Sequence, residues 1–198
     1  MAIYYLVRHG FNDVLGKALA GRMPEVHLNR QGREEAALVA AELSSKGIQR
    51  IISSPLERAR ETAAPLAERL GLPIEINEHF LEINFGNWTG RAMVELASSP
   101  GWKLFNAYRS GVRIPNGETM IEVQSRVVAG LEKLRAEQPD GVFAIFSHGD
   151  PIKLAIAYYL GIPLDLFTRL ETSTACYSVL RLEDEGPQIL GVNICPTR

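Results

Sequence analysis

Two stretches near opposite ends of the chain are built alike, and they constrain the fold more than any other feature. Ile3-Tyr4-Tyr5-Leu6-Val7 runs into Arg8-His9-Gly10, and Val142-Phe143-Ala144-Ile145-Phe146 runs into Ser147-His148-Gly149. Short apolar runs, rich in aromatic and β-branched residues and stopped by glycine, read as buried strands. Each delivers a histidine to the carboxyl end of its strand. In an open parallel sheet all such ends share one edge, and ligands bind there. If both strands are parallel members of one sheet, His9 and His148, two of the four histidines, belong to one site.

The segments between them alternate helix and strand. Asn29 is placed to cap a helix over 30–45, with Ala36, Ala37, Val39, Ala40 and Leu43 inward and Gly47 closing it. An apolar strand over 48–52 ends in Ser53-Ser54-Pro55. Ser54, Pro55 and Glu57 read as a capping box opening a helix that Gly71 closes. Arg58 falls near that helix's N-terminus, where a cation opposes the dipole, so a bound anion is expected beside it. After a short strand at 74–76, residues 77–118 change character, with Phe85-Gly86-Asn87-Trp88-Thr89-Gly90, weak helices near 91–98 and 101–110, and the turn Pro115-Asn116-Gly117. This reads as a small helical cap over the strand ends, with Trp88 and Trp102 in its core. A helix over 118–138 with Ile121, Val127, Val128, Leu131 and Leu134 inward leads to the second His-Gly strand. A helix over 151–160 and a hairpin of strands 176–182 and 188–194 follow. The order predicts an α/β fold: a three-layer α/β/α sandwich, mostly parallel, with an antiparallel edge strand. One domain spans residues 1–198, with the cap inserted at about 77–118.

Charge narrows the partners. A net charge of −2 gives no electrostatic footprint for nucleic acid or an acidic membrane. No apolar segment approaches the ~20 residues that span a bilayer, and no basic-then-apolar leader opens the chain. Cys176 and Cys195 have neither metal-type spacing nor the pattern of a disulfide framework, so reduced thiols in a cytoplasmic protein are expected. Exposed edge strands near the C-terminus would permit a homodimer.

The groups gathered at one sheet edge suit a tetrahedral oxyanion. Arg8 and His9, Ser53, Ser54 and Arg58, and Ser147 and His148 come from three strands, and guanidinium forks match phosphate oxygens. The long loop 11–28, with Asn12, Gly21 and Arg22, and the glycine after the second histidine, Gly149, are expected to contribute substrate contacts. Cysteine chemistry is rejected, because Cys176 and Arg181 lack the five-residue separation it needs; no phosphate-binding Gly-rich loop or His-Glu-x-x-His motif occurs. A histidine nucleophile remains. Glu78, Glu82 and Glu95 are available as the acid for the leaving alkoxide, and Glu82, beside the aromatic-glycine loop, is best placed. His27 and His79 read as surface or structural residues.

Five blocks together resemble the histidine phosphatase superfamily, the phosphoglycerate-mutase-like group: Leu6-Val7-Arg8-His9-Gly10, Ser53 to Ala59, Leu81 to Gly90, Pro115 to Thr119, and Ser147-His148-Gly149. The resemblance implies that His9 is phosphorylated, that Arg8, Arg58 and His148 clamp the phosphate, that Glu82 is the acid–base, and that neither metal nor cofactor is needed. It implies hydrolysis of a small phosphorylated metabolite. Phosphoglycerate mutase activity and a non-catalytic phosphate-binding module are the alternatives. Some positions depart from the family pattern. Phe11 and Asn12 stand where Glu and Thr are usual, Leu15 replaces an asparagine, and Thr89 stands for a glutamate. These departures bear on substrate identity.

Overall fold

The computed structural model describes residues 1–197. Six strands form one sheet: β1 (Ala2–Arg8), β2 (Arg50–Ser53), β3 (Ile74–Ile76), β4 (Val142–Ser147), β5 (Tyr177–Glu183) and β6 (Gly186–Ile194), in the order β3-β2-β4-β1-β5-β6. β1 pairs in parallel with β4, aligning Arg8 with Ser147, and β5 pairs with β1 antiparallel. The two histidine strands are thus adjacent and end level.

Period-two alternation divides the core. Val7, Ile51, Ala144 and Phe146 face α1 (Arg30–Leu43) and α2 (Glu57–Leu70), meeting Val39, Leu43, Ala63 and Leu66. Tyr4, Leu6, Ile52, Phe143 and Ile145 face the other way, toward α5 (Met120–Glu137) and α6 (Gly149–Leu160). Three layers result, as the element order predicts. Between β3 and α5 lie two short 3₁₀ turns and the small helices α3 (Met93–Ser98) and α4 (Pro100–Ala107). Here Trp88, Trp102 and Phe105 pack edge to face or tilted, 5.4–5.9 Å between centroids. This segment is stitched to the loop after β1 by an Ala18–Ala92 bridge and by Gly90 N–H donating to Leu19 O at 2.8 Å.

Local expectations fare unevenly. Asn29 caps α1 through Gly32 N–H, and Gly71 closes α2 in the left-handed region at φ 65°. Ser54 is not the N-cap of α2, which starts at Glu57 behind Leu56. The Ser54 hydroxyl is instead held by His148 Nε2 at 2.8 Å, leaving only a 3.4 Å contact with Leu56 N–H. Ala37 and Ile121 are exposed rather than inward, because the buried stripes run through Val39 and Ala40 and through Met120 and Val123. Gly47 lies beyond Ser44, the residue that ends α1. The largest correction concerns the cysteines. Cys176 and Cys195 form a disulfide, Cα atoms 4.4 Å apart. They are 19 residues apart in sequence but flank the end of the β5–β6 ladder, where Tyr177 opposes Ile194. Antiparallel pairing supplies the proximity that sequence spacing conceals.

Candidate active site

The loop leaving β1 lies hard against α1. A Cβ on Gly10 would sit 2.6 Å from Gly32 O, and one on Gly32 2.0 Å from Phe11 O, so neither position tolerates a side chain without backbone movement. Gly10 N–H donates to Thr62 Oγ1 at 2.9 Å, and Thr62 donates to Arg58 O at 2.6 Å. From the other side, Ala175 N–H reaches Arg8 O, and Arg8 N–H reaches Cys176 O at 3.1 Å. His9 is therefore fixed by backbone contacts from three directions.

His9 and His148 lie together, with ring centroids 5.3 Å apart, and both are buried. His9 Nδ1 lies 2.8 Å from Gly10 O, an acceptor only, so Nδ1 carries the proton and Nε2 keeps its lone pair. Burial first, then the charges of Arg58 and Arg8, hold its pKa well below the ordinary value and keep the ring neutral. His148 is held low by burial, then by Arg58 and His9. Its Nε2 meets Ser54, and its Nδ1 has no hydrogen-bond partner among the described residues.

Each arginine is tethered at one nitrogen. Arg8 donates through Nη1 to Thr172 O at 2.5 Å, and Arg58 through Nη2 to Gly21 O at 2.7 Å. Buried Arg8 Nε and Arg58 Nη1 remain without partners among the described residues. Buried unpaired donors are rare and call for a guest. Arg58 is only 1% exposed, although Arg60 next along is exposed. A cavity of about 340 Å³ is lined by Arg8, His9, Arg58 and Glu82 among others, while His148, fully buried, is not on its lining. Burial foremost, then nearby Asp150, raises the Glu82 carboxyl to about 7, against the N–H of Ile83 and the two arginines.

Asn12, Gly21 and Gly149 also line the cavity. Asn12 Oδ1 is occupied by the N–H groups of Val14 and Leu15, so its amide Nδ2 is what it can offer a ligand. Arg22 does not line it. It donates to the Glu82 carbonyl and pairs with Glu118, and Arg126 donates to the same carbonyl. Glu118 also accepts from Asn84 N–H, so the Pro-Asn-Gly-Glu block braces the backbone that carries Glu82. Glu78 and Glu95 lie off the cavity, and Ser147 donates inward to Phe80 O. His79 binds Arg126 O and His27 pairs with Glu61, both away from the site. Sequence reasoning missed Thr172, Asp150 and Lys153, all on the cavity wall. The i, i+3 spacing of Asp150 and Lys153 after the His-Gly was the available signal. Among the described residues no three His, Cys, Asp or Glu side chains are gathered to hold a metal ion, and no helix is long and apolar enough to cross a membrane.

This geometry has counterparts. The family model of the histidine phosphatase superfamily (branch 1) matches residues 4–195. The chain belongs to the histidine phosphatase superfamily. It is 29% identical to phosphoserine phosphatase 1 of Hydrogenobacter thermophilus over 96% of this chain and 90% of that one. It is 34% identical to a probable phosphoglycerate mutase of Escherichia coli over 80% and 75%. Among solved structures, a mycobacterial glucosyl-3-phosphoglycerate phosphatase complexed with inorganic phosphate superposes with a TM-score of 0.86 at 25% identity, covering 98% of each chain. Superfamily membership accounts for the layered sheet.

Proposed function

We propose that this histidine phosphatase hydrolyses a small phosphorylated metabolite through a phosphohistidine on His9, without a metal. The observation that carries this reading is the His9 Nδ1 contact with Gly10 O, which leaves Nε2 free in a neutral, buried ring beside two arginines. Nε2 attacks phosphorus while Arg8, Arg58 and His148 meet the charge spreading over the transferring oxygens. Those groups suffice to balance a phosphoryl group, so no cation is required. Glu82, protonated up to about pH 7, gives its proton to the departing alkoxide. As a carboxylate it then takes a proton from the water that attacks phosphohistidine. Phosphate leaves and both residues return to their starting states.

The relatives named as phosphatases support hydrolysis, and the mutase relative supplies the competing reading. The Cys176–Cys195 disulfide removes the reduced-thiol ground for a cytoplasmic placement, because disulfides are rare in that compartment.

The test is phosphate release from p-nitrophenyl phosphate with EDTA present, by wild type and by His9→Ala. We expect wild type to turn over and form an acid-labile phosphoryl adduct, and the variant to do neither. Retention of rate by His9→Ala would end the proposal. Isomerisation of 3-phosphoglycerate that depends on a bisphosphorylated primer, without phosphate release, would favour the mutase.

A further inference from the structure

Arg8 is oriented by a segment far from it in sequence, and that segment is itself held from outside. Thr172 O accepts from Arg8 Nη1 at 2.5 Å, Ala175 N–H donates to Arg8 O at 3.1 Å, and Cys176 O accepts from Arg8 N–H at 3.1 Å. Residues 172–176 therefore form a strap across the end of β1. Its bracing comes from the end of β6, an edge strand. Ser173 N–H donates to Asn193 Oδ1 at 2.6 Å, Asn193 Nδ2 donates to Ser173 Oγ at 3.2 Å, and Cys176 is bonded to Cys195. The ladder adds little here. Beyond Val179–Gly191 its register shifts, and Tyr177–Ile194 is the one remaining pair among the described residues. Ala175 and Asn193 both sit in the left-handed region, at φ 49° and 53°. Side chains resist that region, so such residues persist only where their surroundings over-determine them. Opening the one covalent bridge beside two strained residues lets both relax.

We infer that the Cys176–Cys195 bridge is a redox switch on phosphate binding, opened by a dithiol reductant. The inference rests on the reading of Arg8 as a phosphate ligand, and not on turnover. Cys195 is exposed and Cys176 buried, so the donor's thiolate attacks Cys195 Sγ. The S–S bond breaks, a mixed disulfide forms on Cys195, and Cys176 leaves as a thiolate that takes a proton. The donor's second thiol then attacks the mixed disulfide and frees Cys195. The protein gains two electrons and two protons, and the donor becomes a disulfide. With the bridge open, the end of β6 draws Asn193 away from Ser173, the strap loosens, and the Thr172 carbonyl no longer fixes Arg8 Nη1. A guanidinium that must be ordered at the moment of binding holds phosphate less tightly than one already aimed.

The test is titration calorimetry of inorganic phosphate on oxidised wild type, on wild type after excess dithiothreitol, and on the same protein reoxidised. Thiol alkylation and mass spectrometry report the state of the bridge, and circular dichroism reports that the reduced protein stays folded. Reduction is expected to weaken phosphate binding by about 10-fold, the scale of one charge-assisted contact, and reoxidation to restore it. Cys195→Ser binds like reduced wild type and ignores dithiothreitol. Arg8→Met binds weakly and equally in both redox states, a result that general loosening of the fold would not give. Equal affinity of oxidised and reduced wild type overturns the inference. So does a bridge that dithiothreitol does not open in the folded protein, or an undiminished redox dependence in Arg8→Met. If p-nitrophenyl phosphate is never turned over while phosphate affinity still follows the bridge, the phosphatase reading fails and the switch stands.

Discussion

Replacing Glu82 with glutamine separates its two proposed properties, because the amide keeps the shape and cannot titrate. The carboxyl is raised from 4.5 to about 7 by burial and by Asp150. A group whose folded pKa exceeds its unfolded one favours folding fully below the unfolded pKa and loses that contribution as pH rises to the folded one. Wild type therefore loses roughly 2–3 kcal/mol between about pH 4.5 and 7 that Glu82→Gln does not. Urea denaturation at pH 5 and pH 8 should show the variant gaining on wild type by that amount at the higher pH. The kinetic consequence has its own signature. Loss of the proton donor should slow alkyl phosphate hydrolysis by about 10²–10⁴-fold. p-Nitrophenyl phosphate, whose phenolate leaves without a proton, should suffer far less. Wild-type kcat/KM on alkyl esters should fall above about pH 7 as Glu82 ionises, and that limb should vanish in the variant. The lowered His9 keeps the nucleophile neutral across this range, so it sets no limb near neutrality. An unchanged stability gap between the two pH values, with equal rate losses on both ester types, would refute the assignment.

Other residues make separate predictions. Ser54→Ala leaves buried His148 Nε2 without its partner and should lower stability by about 1–3 kcal/mol, with a larger kcat than KM effect on p-nitrophenyl phosphate. Gly32→Ala drives a methyl into Phe11 O at 2.0 Å, displaces the loop that holds His9, and should destabilise by about 1–3 kcal/mol or more in chemical denaturation. Cys195→Ser opens a 19-residue loop and should lower stability by about 3 kcal/mol in non-reducing buffer, a difference that excess dithiothreitol should abolish. Arg22→Met should reduce kcat through the Glu82 backbone while leaving phosphate affinity nearly intact, since Arg22 braces that carbonyl without lining the cavity.

What was legible in the sequence was local or repeated. Two apolar runs with the same His-Gly ending pointed to strands of one sheet, and Arg58, placed against a helix dipole, led us to expect an anion beside it. What was hidden depended on long-range geometry. Ser54 looks like a cap because Pro and Glu follow it, but a histidine 94 residues away captures its hydroxyl. Cys176 and Cys195 look unpaired until the register of an antiparallel hairpin brings them together. Thr172 carries no motif; its contribution is a backbone carbonyl for Arg8, which no residue type advertises. The exposure of Ala37 and Ile121 reflects a helix phase that alanine-rich or evenly apolar faces leave undetermined.

The strand that bears His9 is among the first to be made, yet Arg8 hydrogen-bonds to Thr172 and Cys176, residues synthesised near the end. A growing chain has Arg8, Arg58 and His148 in hand by the time His148 emerges, and still lacks the Thr172 carbonyl that tethers Arg8. Competence must therefore arrive abruptly with the closing hairpin, and a ribosome-stalled product ending before residue 172 would carry the signature motifs while leaving its guanidinium untethered.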